Sequence, residues 1–122
     1  MEEAYPGELR DLEIRLFEDV LKGLNRGDRP RRYDFVNAKL DMLRISDNGR
    51  MLEALLDGLS KLDRITDRDL KPLEKFGIRQ ISQNSHRKVE YINQSYRTPL
   101  ALTPEDSHTV SNDVNRLKRM IL

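Results

Sequence analysis

Cysteine and tryptophan are both absent from the 122 residues. Without cysteine there is no disulfide staple and no thiolate ligand for a zinc site, so stability has to come from packing. Nothing argues for an oxidising compartment. Aromatic residues make up only 6% of the chain, which leaves Leu, Ile, Val and Met to build the core. No apolar run approaches the roughly 20 residues of a membrane-spanning helix. The opening Met1-Glu2-Glu3-Ala4 is acidic, where a secretory signal is basic and then apolar. These absences lead to the expectation of a cytoplasmic protein with no membrane partner.

The signatures of catalysis are missing too. There is no Gly-rich phosphate loop and no nucleophile elbow. The two histidines, His86 and His108, are far apart, have polar neighbours and lack a His-x-x-x-His spacing, so they are read as surface residues and no metal site is expected. Asp63, Asp67 and Asp69 lack the central Gly and terminal Glu of a calcium loop, and Arg64 and Arg68 interrupt them; helix capping explains them better. The expectation is a protein that is not an enzyme and needs no cofactor.

What the chain does have is charge. Charged residues reach 35% against 37% apolar, a balance that suits slim amphipathic helices with wide solvated faces. The length suits one domain spanning residues 1–122. Its last helix has no Gly or Pro stop, which fits a frayed C-terminus or a piece of a longer chain.

Two similar stretches punctuate the middle, Leu43-Arg44-Ile45-Ser46-Asp47 and Asp63-Arg64-Ile65-Thr66-Asp67. Each places a small hydroxyl and an aspartate before a new apolar period, the pattern of a helix cap. Between them Met51, Leu52, Leu55, Leu56, Leu59 and Leu62 mark a central helix over residues 47–61, capped by Ser46 or Asp47. Before it, Leu9, Leu12, Leu16, Phe17, Val20, Leu21 and Leu24 predict a helix over 8–24 with one buried face, stopped near Gly27. Tyr33, Val36, Leu40 and Leu43, widened by Phe35, Ala38 and Met42, predict another over 31–44.

After it, Thr66 with Asp69 suggests a capping box opening a short helix over 67–76. Pro72 implies a kink or a late start, and Gly77 closes it. For residues 78–98 the spacing of Val89, Ile92 and Tyr96 favours a fifth helix over 85–96, although Val89 and Tyr91 also alternate as in a strand. Arg97-Thr98-Pro99-Leu100 is read as a break. Thr103, Pro104, Glu105 and Asp106 predict the start of a last helix carrying Val110, Val114, Leu117 and Ile121 on one face. The resulting expectation is an all-α fold, a compact bundle of about six short antiparallel helices.

The net charge of +1 points to no polyanion, but its distribution is uneven. Residues 2–19 are rich in acids, whereas residues 71–97 and the linker 26–32 are rich in bases. Arg26-Gly27-Asp28 matches the integrin-binding tripeptide, read here as coincidence in a loop. Opposed faces of this kind suit a protein–protein contact with another protein or with itself. Glu13 and Glu18 on one side, and Arg29, Arg31, Arg32, Arg87 and Lys88 on the other, are its candidate residues. The alternative is a small helical nucleic-acid-binding regulator using the basic stretch 85–91 with Tyr96 and Arg97.

One stretch resembles a known family. Tyr33-Asp34-Phe35-Val36-Asn37-Ala38-Lys39-Leu40, the cap Ile45-Ser46-Asp47-Asn48, and Leu52-Glu53-Ala54-Leu55-Leu56-Asp57-Gly58-Leu59-Ser60-Lys61-Leu62-Asp63 are similar to segments of death effector domains. The family follows with Arg-x-Asp-Leu, part of a surface charge triad. Here Lys61-Leu62-Asp63-Arg64 departs at its first and last positions. The resemblance covers roughly residues 33–65. It implies a non-catalytic adaptor that assembles by like-with-like contacts and adds Lys61, Asp63 and Arg64 to the candidate interaction residues.

Overall fold

The computed structural model describes residues 1–83, 86–92, 96–101 and 108–122, with side chains at all of these but 82, 83 and 86. Among the described residues there are five α-helices, one 3-10 helix and one three-stranded sheet. The chain divides into a hairpin unit, Pro6–Arg50, and a sheet unit, Met1–Tyr5 with Met51–Leu122.

In the hairpin unit α1 (Glu8–Gly23) and α2 (Pro30–Met42) are followed by the start of α3 (Asp47–Ser60). Pro30 opens α2, where its missing N–H costs nothing. Helix α1 stops at Gly23, with Leu24 turning extended. Gly27, the expected left-handed stop, has no positive φ. The buried Asp11 carboxylate accepts from the backbone N–H of Ser46 at 2.8 Å and from its hydroxyl at 2.6 Å. That hydroxyl in turn accepts from the N–H of Gly49 at 2.9 Å, so Ser46 is the cap of α3. Gly49 has to be glycine here, because a Cβ would lie 2.2 Å from Asp11 Oδ2.

The sheet unit holds the core. Leu52, Leu56 and Leu59 of α3 are buried with Ile65 and with Leu70 of α4 (Asp67–Leu70). Leu73 and Phe76 come from the 3-10 helix Lys71–Phe76, and Tyr5 meets the Phe76 ring edge-on at 5.4 Å. The expected capping box is present: the Thr66 hydroxyl accepts from the Asp69 N–H, and the Asp69 carboxylate accepts from the Thr66 N–H. Pro72 acts as the sequence implies. The α-helix ends after one turn, and the chain tightens into the 3-10 helix that Pro72 helps to open. Gly77 then closes it with φ +82.

The all-α expectation fails at this point. Three strands, β1 (Ile78–Gln83), β2 (His86–Tyr91) and β3 (Tyr96–Leu100), pair antiparallel in the order β1-β2-β3. Among the described residues the expected helix over 85–96 is strand instead, at His86–Tyr91 and from Tyr96, and the fold is mixed, with helices beside a sheet. The reason is a competition of periods. Val89, Ile92 and Tyr96 are spaced as in a helix, but Val89 and Tyr91 alternate as in a strand, and the partners for a strand lie on either side of it.

Register pairs Ile78 with Tyr91 and Gln80 with Val89, then Val89 with Thr98 and Arg87 with Leu100. Ile78, Val89, Tyr91, Thr98 and Leu100 are buried in consequence. Pro99, read from sequence as a break, sits in edge strand β3, where a missing N–H is tolerated. Helix α5 (Thr109–Ile121) buries Val110, Val114, Leu117 and Ile121, the expected stripe. Its Asp113 carboxylate accepts from the Ala101 N–H at 2.9 Å and fixes the end of β3 to the helix. The start expected at Thr103, Pro104, Glu105 and Asp106 lies outside the described residues.

Leu56 is fully buried, Leu55 half-buried and Asp57 exposed, where it pairs with Lys118. Urea denaturation should therefore show Leu56→Ala costing about 2–5 kcal/mol. Leu55→Ala should cost less, and Asp57→Ala at most about 1 kcal/mol. Equal losses at the three positions would mean that α3 does not pack its Leu56 face into this core.

Candidate interaction surfaces

The hairpin unit buries little of its apolar surface. Ile14 and Val36 are its only buried hydrophobic side chains, whereas Glu8 and Asp11 of α1 are buried. The α1 face expected to be buried is not: Leu9, Leu12, Phe17, Leu21 and Leu24 are half-buried, and Leu16 and Val20 are open. Leu16 is 65% exposed and Val20 49%, and on α2 Phe35 is 57% and Met42 79% exposed. Scattered exposed apolar residues are ordinary; several on one small helical hairpin are not. Val20 and Leu24 of the α1 side and Phe35 and Val36 of α2 line a groove of about 400 Å³.

Arg31 and Arg32 line the same groove. Neither has an ion-pair partner among the described residues, while Arg26 pairs with Asp34 at 3.5 Å and Arg29 with Asp28 at 3.9 Å. The groove thus offers an apolar floor and two uncommitted cations at its rim. Glu13 and Glu18 are exposed on α1. Glu13 lies one turn before Leu16 and Phe17, so it shares the face that carries Leu16 and Val20.

The sheet unit carries a second, more polar pocket of about 470 Å³, lined by Arg64, Ile65, Thr66, Asp67, Arg68, Gln80 and Arg87. Arg64 and Arg68 are exposed. Arg87 is not the surface cation that its sequence context suggests. It belongs to the core-facing set of β2, and its side chain is only 5% exposed. Its Nη1 donates to the Ile65 carbonyl at 2.6 Å. Lys88, its neighbour, is half-buried.

The candidate residues therefore fall into separate groups. Arg31 and Arg32 come together at the hairpin groove, and Arg64 and Arg87 at the polar pocket. Arg29 is the N-cap of α2, and Lys61 and Asp63 are exposed beyond α3. Sequence reading passed over Val20, Leu24, Phe35 and Val36 as a groove because all fit a buried stripe. The signal was the width of the α2 stripe, since Phe35, Ala38 and Met42 exceed what one neighbouring helix covers. Arg68 and Gln80 left no signal, because register and loop course bring them to Arg87.

Among the described residues no group of three potential metal ligands gathers, and no helix is long and apolar enough to cross a membrane. Comparison of the chain with models of protein families, with curated proteins and with solved structures finds no match.

One titration follows from the pocket rim. Hydrogen bonds from the Thr66 N–H and then the Thr66 hydroxyl hold the Asp69 carboxyl below its ordinary value of 3.8. A lowered folded pKa adds stability above the unfolded value, and that stability is lost as pH falls through the folded value. Asp69→Ala should accordingly destabilise the chain at neutral pH. Its difference from the parent should shrink as pH falls below 3.8 and vanish beneath the lowered value. A difference independent of pH down to that range would show that the charged carboxylate does not support the box.

Proposed function

We propose that the protein is a non-catalytic interaction module of the cytoplasm that assembles with copies of itself through the α1–α2 hairpin. The uncovered apolar face of the hairpin carries this reading, since Leu16, Val20, Phe35 and Met42 are all exposed. A second copy offers what the groove lacks. Its α1 is an amphipathic helix with exposed Leu16 and Val20, with Glu13 on the same face to meet the unpaired Arg31 and Arg32, while exposed Glu18 points to the other side of the helix. The adaptor role implied by the resemblance over residues 33–65 agrees with this reading.

Magnitudes make the association weak. Fully burying an apolar side chain of this size gains about 1.5–3 kcal/mol, and these four are already partly covered. Association itself costs about 4–15 kcal/mol. The gain and the cost are of the same order, so the contact is reversible and its charges matter. Each copy carries both the helix and the groove. A two-fold arrangement closes the contact, while a head-to-tail one builds rings or filaments.

Sedimentation against concentration and salt tests this. Association should rise with concentration and weaken as salt shortens the Debye length, about 8 Å at physiological ionic strength. Phe35→Asp should abolish it with the helical circular dichroism intact. Arg31→Glu with Arg32→Glu should weaken it, and adding Glu13→Arg should restore part. A chain monomeric throughout, or variants that associate like the parent, would contradict self-assembly. If an unrelated acidic helical peptide bound the monomer, the occupant would be another protein.

A further inference from the structure

The polar pocket of the sheet unit is independent of the hairpin groove, and its chemistry is different. Three guanidinium groups, Arg64, Arg68 and Arg87, line it against one carboxylate, Asp67. Arg64 and Arg68 have no ion-pair partner among the described residues. Arg87 is held in place by its Nη1, which donates to the Ile65 carbonyl at 2.6 Å. The opposite edge of the same guanidinium is poorly satisfied. Nη2 reaches Gln80 Oε1 only at 3.4 Å and Asp67 Oδ1 only at 3.6 Å. Nε is buried and has no acceptor at all.

A buried donor without an acceptor is costly, and natural structures rarely leave one without cause. The Nε–Nη2 edge is also the fork that takes two oxygens of one carboxylate or phosphate side by side. Asp67 occupies part of that edge with a single long contact, and its side chain is 83% exposed. It can swing into solvent at little cost, because an exposed ion pair contributes little.

We propose that this pocket is a seat for a phosphate monoester. One phosphate oxygen takes the place of Asp67 Oδ1 at Nη2 of Arg87, and a second gives Nε its missing acceptor. Arg64 and Arg68 close on the remaining charge from the pocket rim. The volume, about 470 Å³, is within the range of small-ligand sites and leaves room for the group that carries the phosphate. Buried Arg87 supplies geometry, and the two exposed arginines supply most of the adjustable charge.

The test uses the full chain, labelled for nitrogen NMR and titrated with inorganic phosphate at neutral pH, with ionic strength held constant by sodium chloride. The Arg87 Nε–Hε resonance and the amides of residues 64–68 should move saturably. Arg64→Ala with Arg68→Ala, both exposed and so compatible with the fold, should weaken binding about tenfold or more, the loss expected for charge-assisted hydrogen bonds. Shifts that chloride reproduces, shifts that never saturate, or an affinity unchanged in the double variant would overturn the seat and leave Arg87 a purely structural tie to Ile65. Parallel titrations with glycerol phosphate and with N-acetyl phosphoserine amide identify the source. Tighter binding of the phosphoserine probe assigns the phosphate to a modified protein side chain. Equal binding of all three assigns it to a small free anion.

Discussion

The interior of the sheet unit rests on a few side chains from which solvent is fully excluded. Leu52 and Leu56 of α3, Leu73 of the 3-10 helix, Val89 of β2 and Val114 of α5 have no accessible surface. They come from four elements spread along the sequence, and each is the inward point of an element that also carries charged residues. At 35% charged residues the chain has little apolar material to spare. Its sheet can bury one face only because α3 and α5 bring leucine, valine and isoleucine to a common centre. The caps, the Pro72 transition and the Asp113 tie to Ala101 then fix where each element starts and stops.

The hairpin unit obeys a different balance. It spends buried volume on Glu8 and Asp11, and the Asp11–Ser46–Gly49 hydrogen bonds are what fix its geometry. Hydrogen-bonded carboxylates can set a chain path, but they supply little net stabilisation compared with apolar burial. Meanwhile Leu16, Val20, Phe35 and Met42 remain in water. The proposed self-assembly gives those side chains a destination. The polar pocket adds a second function class on separate residues, so neither proposal depends on the other.

Local signals in the sequence were readable where the physics is local. Thr66 with Asp69, Ser46 before α3, Pro72 and Gly77 each act through neighbours within a few residues, and each behaves as its chemistry implies. The stripe of α5 was legible because its spacing repeats over three turns. The sheet was not, because a strand is defined by a partner. Ser82 and Gln83 carry no apolar period of their own, yet they pair with Arg87 and His86 in the ladder of β1 and β2. Thr98 and Pro99 read as a break, yet Thr98 lies opposite Val89. The burial of Arg87 was hidden for the same reason, since only strand register turns it inward. On α1, periodicity found the apolar stripe but named the wrong face as buried: Glu8, Asp11 and Ile14 are the enclosed positions, because the hydrogen bonds of Asp11 to Ser46 turn that side inward.

The most direct test of the account is to see which side chains of one copy touch another. Mixing carbon-13-labelled and unlabelled chains and recording isotope-filtered NOEs reads only intermolecular contacts. Self-assembly through the hairpin gives such NOEs at the methyl groups of Leu16 and Val20 and at the protons of Phe35, and none at the enclosed methyl groups of Leu56. Intermolecular NOEs confined to other surfaces, or none at concentrations where sedimentation detects association, would contradict it.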